Sequence, residues 1–197
     1  MGALRIGLTG GICCGKSTAL DVFARHGFES IDLGRYLHEA LQGSDRIKVG
    51  LLRRFGDECV DPNSGQVLTD RLAGLLNQDE SSQNFLENLI HPELERLLER
   101  DLPVPSVVEI PLLFEQHMEG NFDYVLCIYA TQALQLERAI HLGGLTVAEF
   151  YARLGQQMPL TEKILHSNFV IGNNGTMLQF ERQIQQFLRH LTGGQVR

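Results

Sequence analysis

Gly10-Gly11-Ile12-Cys13-Cys14-Gly15-Lys16-Ser17 satisfies the spacing G-x-x-x-x-G-K-[ST] without a mismatch. Residues of these types at this spacing bind phosphate. Glycine allows the tight, left-handed backbone that turns successive N–H groups inward. The N-terminus of a following helix adds further donors, so the loop is an anion nest. Lys16 supplies a point charge for the β- and γ-phosphates of a nucleoside triphosphate, and the Ser17 hydroxyl is placed to ligate Mg²⁺. Thr18 follows as the next helical residue. The motif alone does not separate an ATPase, a GTPase and a small-molecule kinase. The chain carries no N-K-x-D guanine reader and no h-h-h-D-E run of an ATPase motor. Its nearest approach to the latter is "VVEIP" (107–111). Glu109 there is read either as a strand residue facing a polar partner or as a site carboxylate.

Two adjacent cysteines sit inside the loop. A helix N-terminus and the neighbouring Lys16 both lower a thiol pKa. One reading of Cys13 and Cys14 is therefore a redox switch that blocks the phosphate site. The plainer reading is that these positions tolerate any small residue. Cys127, inside "YVLCIYA", reads as a core residue.

A phosphate loop requires a strand before it and a helix after it. "LRIGLT" (4–9) is a short apolar strand. "KSTALDVFARH" (16–26) places Leu20, Phe23 and Ala24 at helical spacing, with Gly27 as its stop signal. "FESID" (28–32) reads as a second strand, which gives the opening of a parallel α/β sheet. From about Arg35 to Arg100 the pattern is mainly helical, broken by the turn-rich "DPNSGQ" (61–66). Asp70 reads as a cap for "RLAGLL", and His91 before Pro92 as a helix-boundary residue. "SVVEI" (106–110) and "YVLCIYA" (124–130) are strands, and "TQALQLERAIHL" (131–142) is helical. "GGL" breaks that helix before "TVAEFYARLGQQ" (146–157). "NFVIGNN" (168–174) is a last strand, residues 177–191 form an amphipathic helix, and the tail 192–197 is expected to fray.

Composition narrows the function. Hydrophobic residues make up 43% and charged residues 21% of 197 residues, ordinary for one globular domain. The net charge of −7 gives no basic footprint for nucleic acid, so an anionic ligand must be held by a local cluster of donors. No apolar run approaches the roughly 20 residues that span a bilayer. "MGALRIGLTGG" is no signal peptide, and Ile6 stands where a myristoylation signal needs Ser or Thr. The four cysteines, Cys13, Cys14, Cys59 and Cys127, have no metal-ligand spacing, so a reducing cytosol is expected.

Beyond the loop, the chain resembles the dephospho-coenzyme A kinase family over nearly its whole length. The resemblance rests on "TGGICCGKST" (9–18), "FESID", "DRLAGLL" (70–76), "LIHPELE" (89–95), "EIPLLFE" (109–115), "LERAI" (136–140), "RLGQQMPLTEKI" (153–164) and "NFVIGNNGT" (168–176). It implies an α/β, P-loop NTPase-type parallel sheet flanked by helices within a single kinase domain. A helical acceptor (CoA)-binding region at about 35–103 and a helical lid at about 138–164 are implied with it. The implied reaction moves the ATP γ-phosphate, with Mg²⁺, to the ribose 3′-hydroxyl of dephospho-CoA, the final step of CoA biosynthesis. A cytoplasmic monomer or small homo-oligomer is expected, with no nucleic acid or membrane partner. Lys16, Asp32, Arg138 and Arg153 are the implied catalytic residues. Gly10, Gly11, Ile12, Cys13, Cys14, Gly15, Lys16, Ser17 and Thr18 would bind ATP. Asp32, Arg71, His91, Pro111 and Leu112 are acceptor-side candidates. Arg153 and Lys163 flank the implied lid segment, where an arginine can close onto the phosphates; read without the resemblance, they lie on a solvated helix face. "GNNG" (172–175) is a candidate edge of the adenine pocket.

The chain also departs from that family. Asp32 matches the first carboxylate of a D-x-D, but Gly34 stands at the second, the presumed base. His38 stands where an arginine is usual. Leu142-Gly143 replace a common Arg-Asp, and Gly172 a common Asp. Three readings stay open: an active kinase in which Asp32 serves as base, a weakened or inactive ATP- or CoA-binding relative, and a kinase for another nucleotide-like acceptor.

Overall fold

The structure is a computed structural model, and it describes residues 3–76, 79–100 and 102–191. In chain order its elements are β1 (Arg5–Gly10), α1 (Lys16–Arg25), β2 (Glu29–Asp32), α2 (Leu33–Gly43), α3 (Asp45–Phe55), α4 (Thr69–Leu76), α5 (Glu80–Glu99), β3 (Ser106–Glu109), β4 (Tyr124–Tyr129), α6 (Gln132–His141), α7 (Val147–Leu154), α8 (Leu160–His166), β5 (Phe169–Gly172) and α9 (Met177–Leu191). The expected tail at 192–197 lies outside the described residues, as do Asn77 and Gln78 at the end of one expected helix.

Two compact units emerge. One comprises the described residues of Met1–Leu33 and Asp101–Arg197, the other Gly34–Arg100. The first holds a five-stranded parallel sheet in the order β2-β3-β1-β4-β5. Strands buried on both faces read as continuous apolar runs rather than alternating ones, and Ile6, Leu8, Leu126 and Ile128 are fully buried here. Phe23 of α1 and Phe180 and Ile184 of α9 pack into the same core. β1 is the central strand, so the loop that follows it opens at the middle of the sheet edge. β4 and β5 place Tyr129 opposite Gly172. A Cβ at Gly172 would lie 2.9 Å from the Tyr129 hydroxyl oxygen, so the phenol ring occupies the room a side chain would need.

The second unit is helical around its own core of Ile47, Leu51, Cys59, Val60, Val67 and Leu72. The turn at 61–66 is closed by an isolated antiparallel bridge between Val60 and Val67. Two local readings are corrected in this unit. Asp70 is not the cap of α4: the helix already starts at Thr69, which puts Asp70 in its first turn. His91 is not at a helix boundary either, because α5 runs through Pro92 to Glu99. Proline removes one helical N–H and crowds the preceding turn. In that turn the Leu89 carbonyl accepts a bond from Arg46 Nη2 at 2.7 Å.

Elsewhere the sequence reading missed α8, which starts immediately after Pro159, a position that suits the entry to a helix. Thr146 and Glu149 form a reciprocal capping box that starts α7, one of the sharpest local start signals available.

Candidate active site

β1 feeds a loop whose backbone the residues themselves dictate. Gly15 sits at φ 97°, a left-handed conformation just before α1. A Cβ there would also lie 2.3 Å from Asn173 Nδ2, so glycine is required on both counts. Cys13 takes a left-handed φ of 53° without being glycine. Beyond the loop, the first N–H groups of α1 have no partner within the helix.

Lys16 folds back over this loop. Its Nζ donates to the Gly11 carbonyl at 3.0 Å and lies 3.8 Å from Glu109 Oε1. Glu109 ends β3, in register with Leu8 of β1 and with Asp32 of β2. Lys16, Glu109 and Asp32 thus gather at the C-terminal ends of adjacent parallel strands, where open α/β sheets bind ligands. Burial pushes the Glu109 carboxyl above its ordinary value. Lys16 pulls it back, and the charge of Asp32 pushes the same way as burial. Glu109 Oε2 is buried and has no hydrogen-bond partner.

A third element closes the loop from the other side. Arg138 of α6 donates from Nη2 to the Asn173 carbonyl at 2.8 Å and from Nη1 to the Cys13 carbonyl at 3.5 Å. Asn173 Nδ2 donates to the Cys14 carbonyl at 2.9 Å. Gln135 Nε2 donates to the Ala130 carbonyl at 2.8 Å, while its Oε1 sits over Gly11. The phosphate loop is therefore tied to α6 and to the connection between β5 and α9.

These groups surround a cavity of about 430 Å³, within the range that holds a small ligand. From the residues read off the sequence it gathers Cys13, Gly15, Lys16, Ser17, Thr18, Glu109 and Arg138, with Asn173 and Gly175 of the 172–175 segment, and it adds Leu142 and Met177. Gly10, Gly11, Ile12 and Cys14 shape the loop without lining the cavity. The donor set fits a nucleoside triphosphate with Mg²⁺. Ser17 is exposed beside Lys16 at the cavity, and Glu109, whose Oε2 is buried without a donor, lines it too.

Other candidates lie elsewhere. Arg153 is exposed in the last turn of α7, where its charge is felt by Glu149; it does not line the cavity. Pro111 and Leu112 occupy the turn after β3 and are half-buried. Arg71 and His91 belong to the helical unit. Arg71 is exposed and acts on Asp61, and His91 Nε2 lies 3.3 Å from Glu95 Oε1.

Two side chains take roles that packing decides. Lys163, which flanks the implied lid segment, is fully buried, donating to the Pro111 carbonyl at 2.5 Å and pairing with Glu115 Oε1 at 2.8 Å. Glu115 Oε1 also accepts the Met158 N–H at 2.8 Å. Burial raises the Glu115 carboxyl, but the bonds from Lys163 and the backbone outweigh it and hold the group below its usual range. Cys14 is not an activated thiol. It is fully buried, and that burial outweighs the nearby Lys16 charge and pushes its pKa up. Cys127 is likewise a core thiol, pushed up by burial to about 12.

Sequence reasoning passed over Gln135, whose polar side chain lies between Leu134 and Leu136 with no motif to mark it. It also passed over Glu115, visible only as the last letter of "EIPLLFE".

A central strand, a phosphate loop, a buried lysine and an arginine reaching across from the next helical layer define a P-loop kinase. The dephospho-CoA kinase family profile matches residues 4–179, and the chain belongs to that family. A dephospho-CoA kinase of Synechocystis is 32% identical over 191 residues, covering 94% of each chain. A crystal structure from Thermus thermophilus superposes with a TM-score of 0.84 at 31% identity, covering 97% of this chain and 99% of that one. The fold also matches a dephospho-CoA kinase from Campylobacter jejuni, with a TM-score of 0.64 at 23% identity and coverage of 95% and 96%.

Proposed function

We propose that this chain transfers the γ-phosphoryl group of ATP to the ribose 3′-hydroxyl of dephospho-CoA, giving ADP and CoA. The observation that carries the reading is the family match across residues 4–179. Phosphoryl transfer is mostly positioning and charge neutralisation. Lys16 and Arg138 face one cavity and supply the cationic charge, which a chain of net charge −7 must concentrate locally. The backbone N–H groups of the loop and of the first turn of α1 receive the phosphate oxygens. The Ser17 hydroxyl would hold Mg²⁺, which would offset phosphate charge. Arg153 is the candidate that a moving lid over 138–164 brings to the phosphates. Asp32, Pro111 and Leu112, and Arg71 and His91 of the helical unit, are the acceptor-side candidates. The cytoplasm is the proposed location, and no helix among the described residues is long and apolar enough to cross a membrane.

A coupled assay of ADP release tests the reading. ADP formation is expected to depend on dephospho-CoA, with Mg²⁺ present. No ADP above the ATP-only background at millimolar acceptor would sink it, and preferred turnover of another nucleoside acceptor would reassign the substrate.

A further inference from the structure

An acceptor hydroxyl loses its proton as its oxygen bonds to the γ-phosphorus. The group that takes this proton must reach the cavity from a fixed position. The family resemblance puts that group at residue 34, where this chain has glycine and no side chain. Within the cavity, Glu109 is the single carboxylate among the described lining residues.

We propose that Glu109 accepts the proton of the acceptor hydroxyl, in place of the carboxylate missing at Gly34. The assignment rests on the acceptor reading above. Three features of the site carry it. The side chain of Glu109 is 10% exposed, and its Oε2 has no donor. A buried acceptor without a donor costs free energy, so this oxygen is arranged for a donor that arrives with a ligand. Its other oxygen lies 3.8 Å from Lys16 Nζ, the cation that attends the β- and γ-phosphates. One carboxylate of the cavity lining therefore has one oxygen beside the phosphate-binding lysine and the other buried without a donor. Lastly, Asp32 stands in register on the neighbouring strand, and its negative charge favours the protonated form of Glu109. Two carboxylates in unequal environments divide their roles. Asp32 is left to hold the acceptor, and Glu109 to receive the proton.

The step balances. The 3′-oxygen forms its bond to the γ-phosphorus while its O–H proton passes to the Glu109 carboxylate. The bond from the γ-phosphorus to the β–γ bridging oxygen breaks, and ADP leaves with that electron pair. The Glu109 carboxylic acid then returns the proton to solvent.

Glu109→Gln keeps the size and removes the proton acceptor. The expected result at saturating ATP and dephospho-CoA is a 10²–10⁴-fold fall in kcat. The KM for ATP and the Mg²⁺ dependence of binding a fluorescent ATP analogue should stay within threefold. Glu109→Asp should recover at least tenfold of the loss. If excess Mg²⁺ restores Glu109→Gln, the carboxylate serves the metal and the assignment falls. It falls too if Glu109→Gln keeps wild-type kcat, or if Gln and Asp variants that still bind the analogue lose activity equally. Should the Gln variant fail to bind nucleotide, the Asp variant decides: activity within tenfold of wild type supports the assignment, and a 10²-fold loss overturns it. No turnover of dephospho-CoA by the unsubstituted protein removes the acceptor reading and this assignment together, whereas normal turnover by Glu109→Gln removes this assignment alone.

Discussion

Lys163→Met separates a structural cation from a mobile one. In the fold Lys163 is fully buried and satisfies two oxygens, the Pro111 carbonyl and Glu115 Oε1. Methionine matches its length but supplies no donor. Removing one member of a buried ion pair costs about 3–5 kcal/mol, because the other charge is left uncompensated. The Glu115 side chain is 21% exposed, so water recovers part of that, and about 3 kcal/mol is the working figure. For a chain of this size each kcal/mol moves Tm by about 2–4 °C, so a loss of roughly 6–12 °C is expected. The pH dependence has a definite sign. The folded-state pKa of Glu115 is depressed, so the pair stabilises above the unfolded carboxylate range and loses that contribution as pH falls through the folded value. Thermal melts should therefore show the full gap between wild type and variant at pH 7 and a narrower one near pH 3. Adding Glu115→Gln to Lys163→Met should restore 1 kcal/mol or more, a coupling that a double-mutant cycle reads directly. A Tm within 2 °C of wild type at pH 7, or strictly additive losses in the cycle, would refute the reasoning.

Gly15→Ala should weaken Mg²⁺–ATP binding by about 5-fold to 10²-fold in a titration with a fluorescent analogue. A Cβ there meets Asn173 Nδ2 at 2.3 Å on a left-handed backbone, a strain of about 1–3 kcal/mol placed in the phosphate loop itself; unchanged affinity would contradict that. Iodoacetamide on the folded protein at pH 8 should label half-exposed Cys13 and spare buried Cys14 until denaturant is added, read by mass spectrometry. Equal labelling of the two in the native state would show that burial does not protect Cys14.

The phosphate loop was legible because its chemistry fixes four of eight consecutive positions, so spacing alone locates Lys16 and Ser17. Most strands and helices were legible from their apolar periods. Strand order was not, because parallel pairing joins β1 to β3 and β4 across more than ninety residues, and no local signal encodes that. Glu109 was half-legible, a charge inside an apolar run; what the sequence withheld was the facing Lys16. The role of Lys163 was not legible, because a lysine in a lid-like segment looks the same whether its amine meets water or Glu115. The two readings of Cys14 could not be separated for a related reason. Neighbouring charge and helix position are visible in a sequence, while the desolvation that outweighs them is a property of the packed fold. Gln135, and the tie that Asn173 makes to the loop, act through backbone carbonyls, and a carbonyl leaves no trace in the identity of its residue.

The pairing of Tyr129 with Gly172 makes two strands share one volume. The phenol ring fills the space that a side chain at 172 would need, so a residue larger than glycine at 172 requires the Tyr129 ring to move off its present position. The two positions are therefore energetically coupled: the cost of any substitution at 172 is set by the freedom of a ring on the neighbouring strand, and a smaller residue at 129 lowers it.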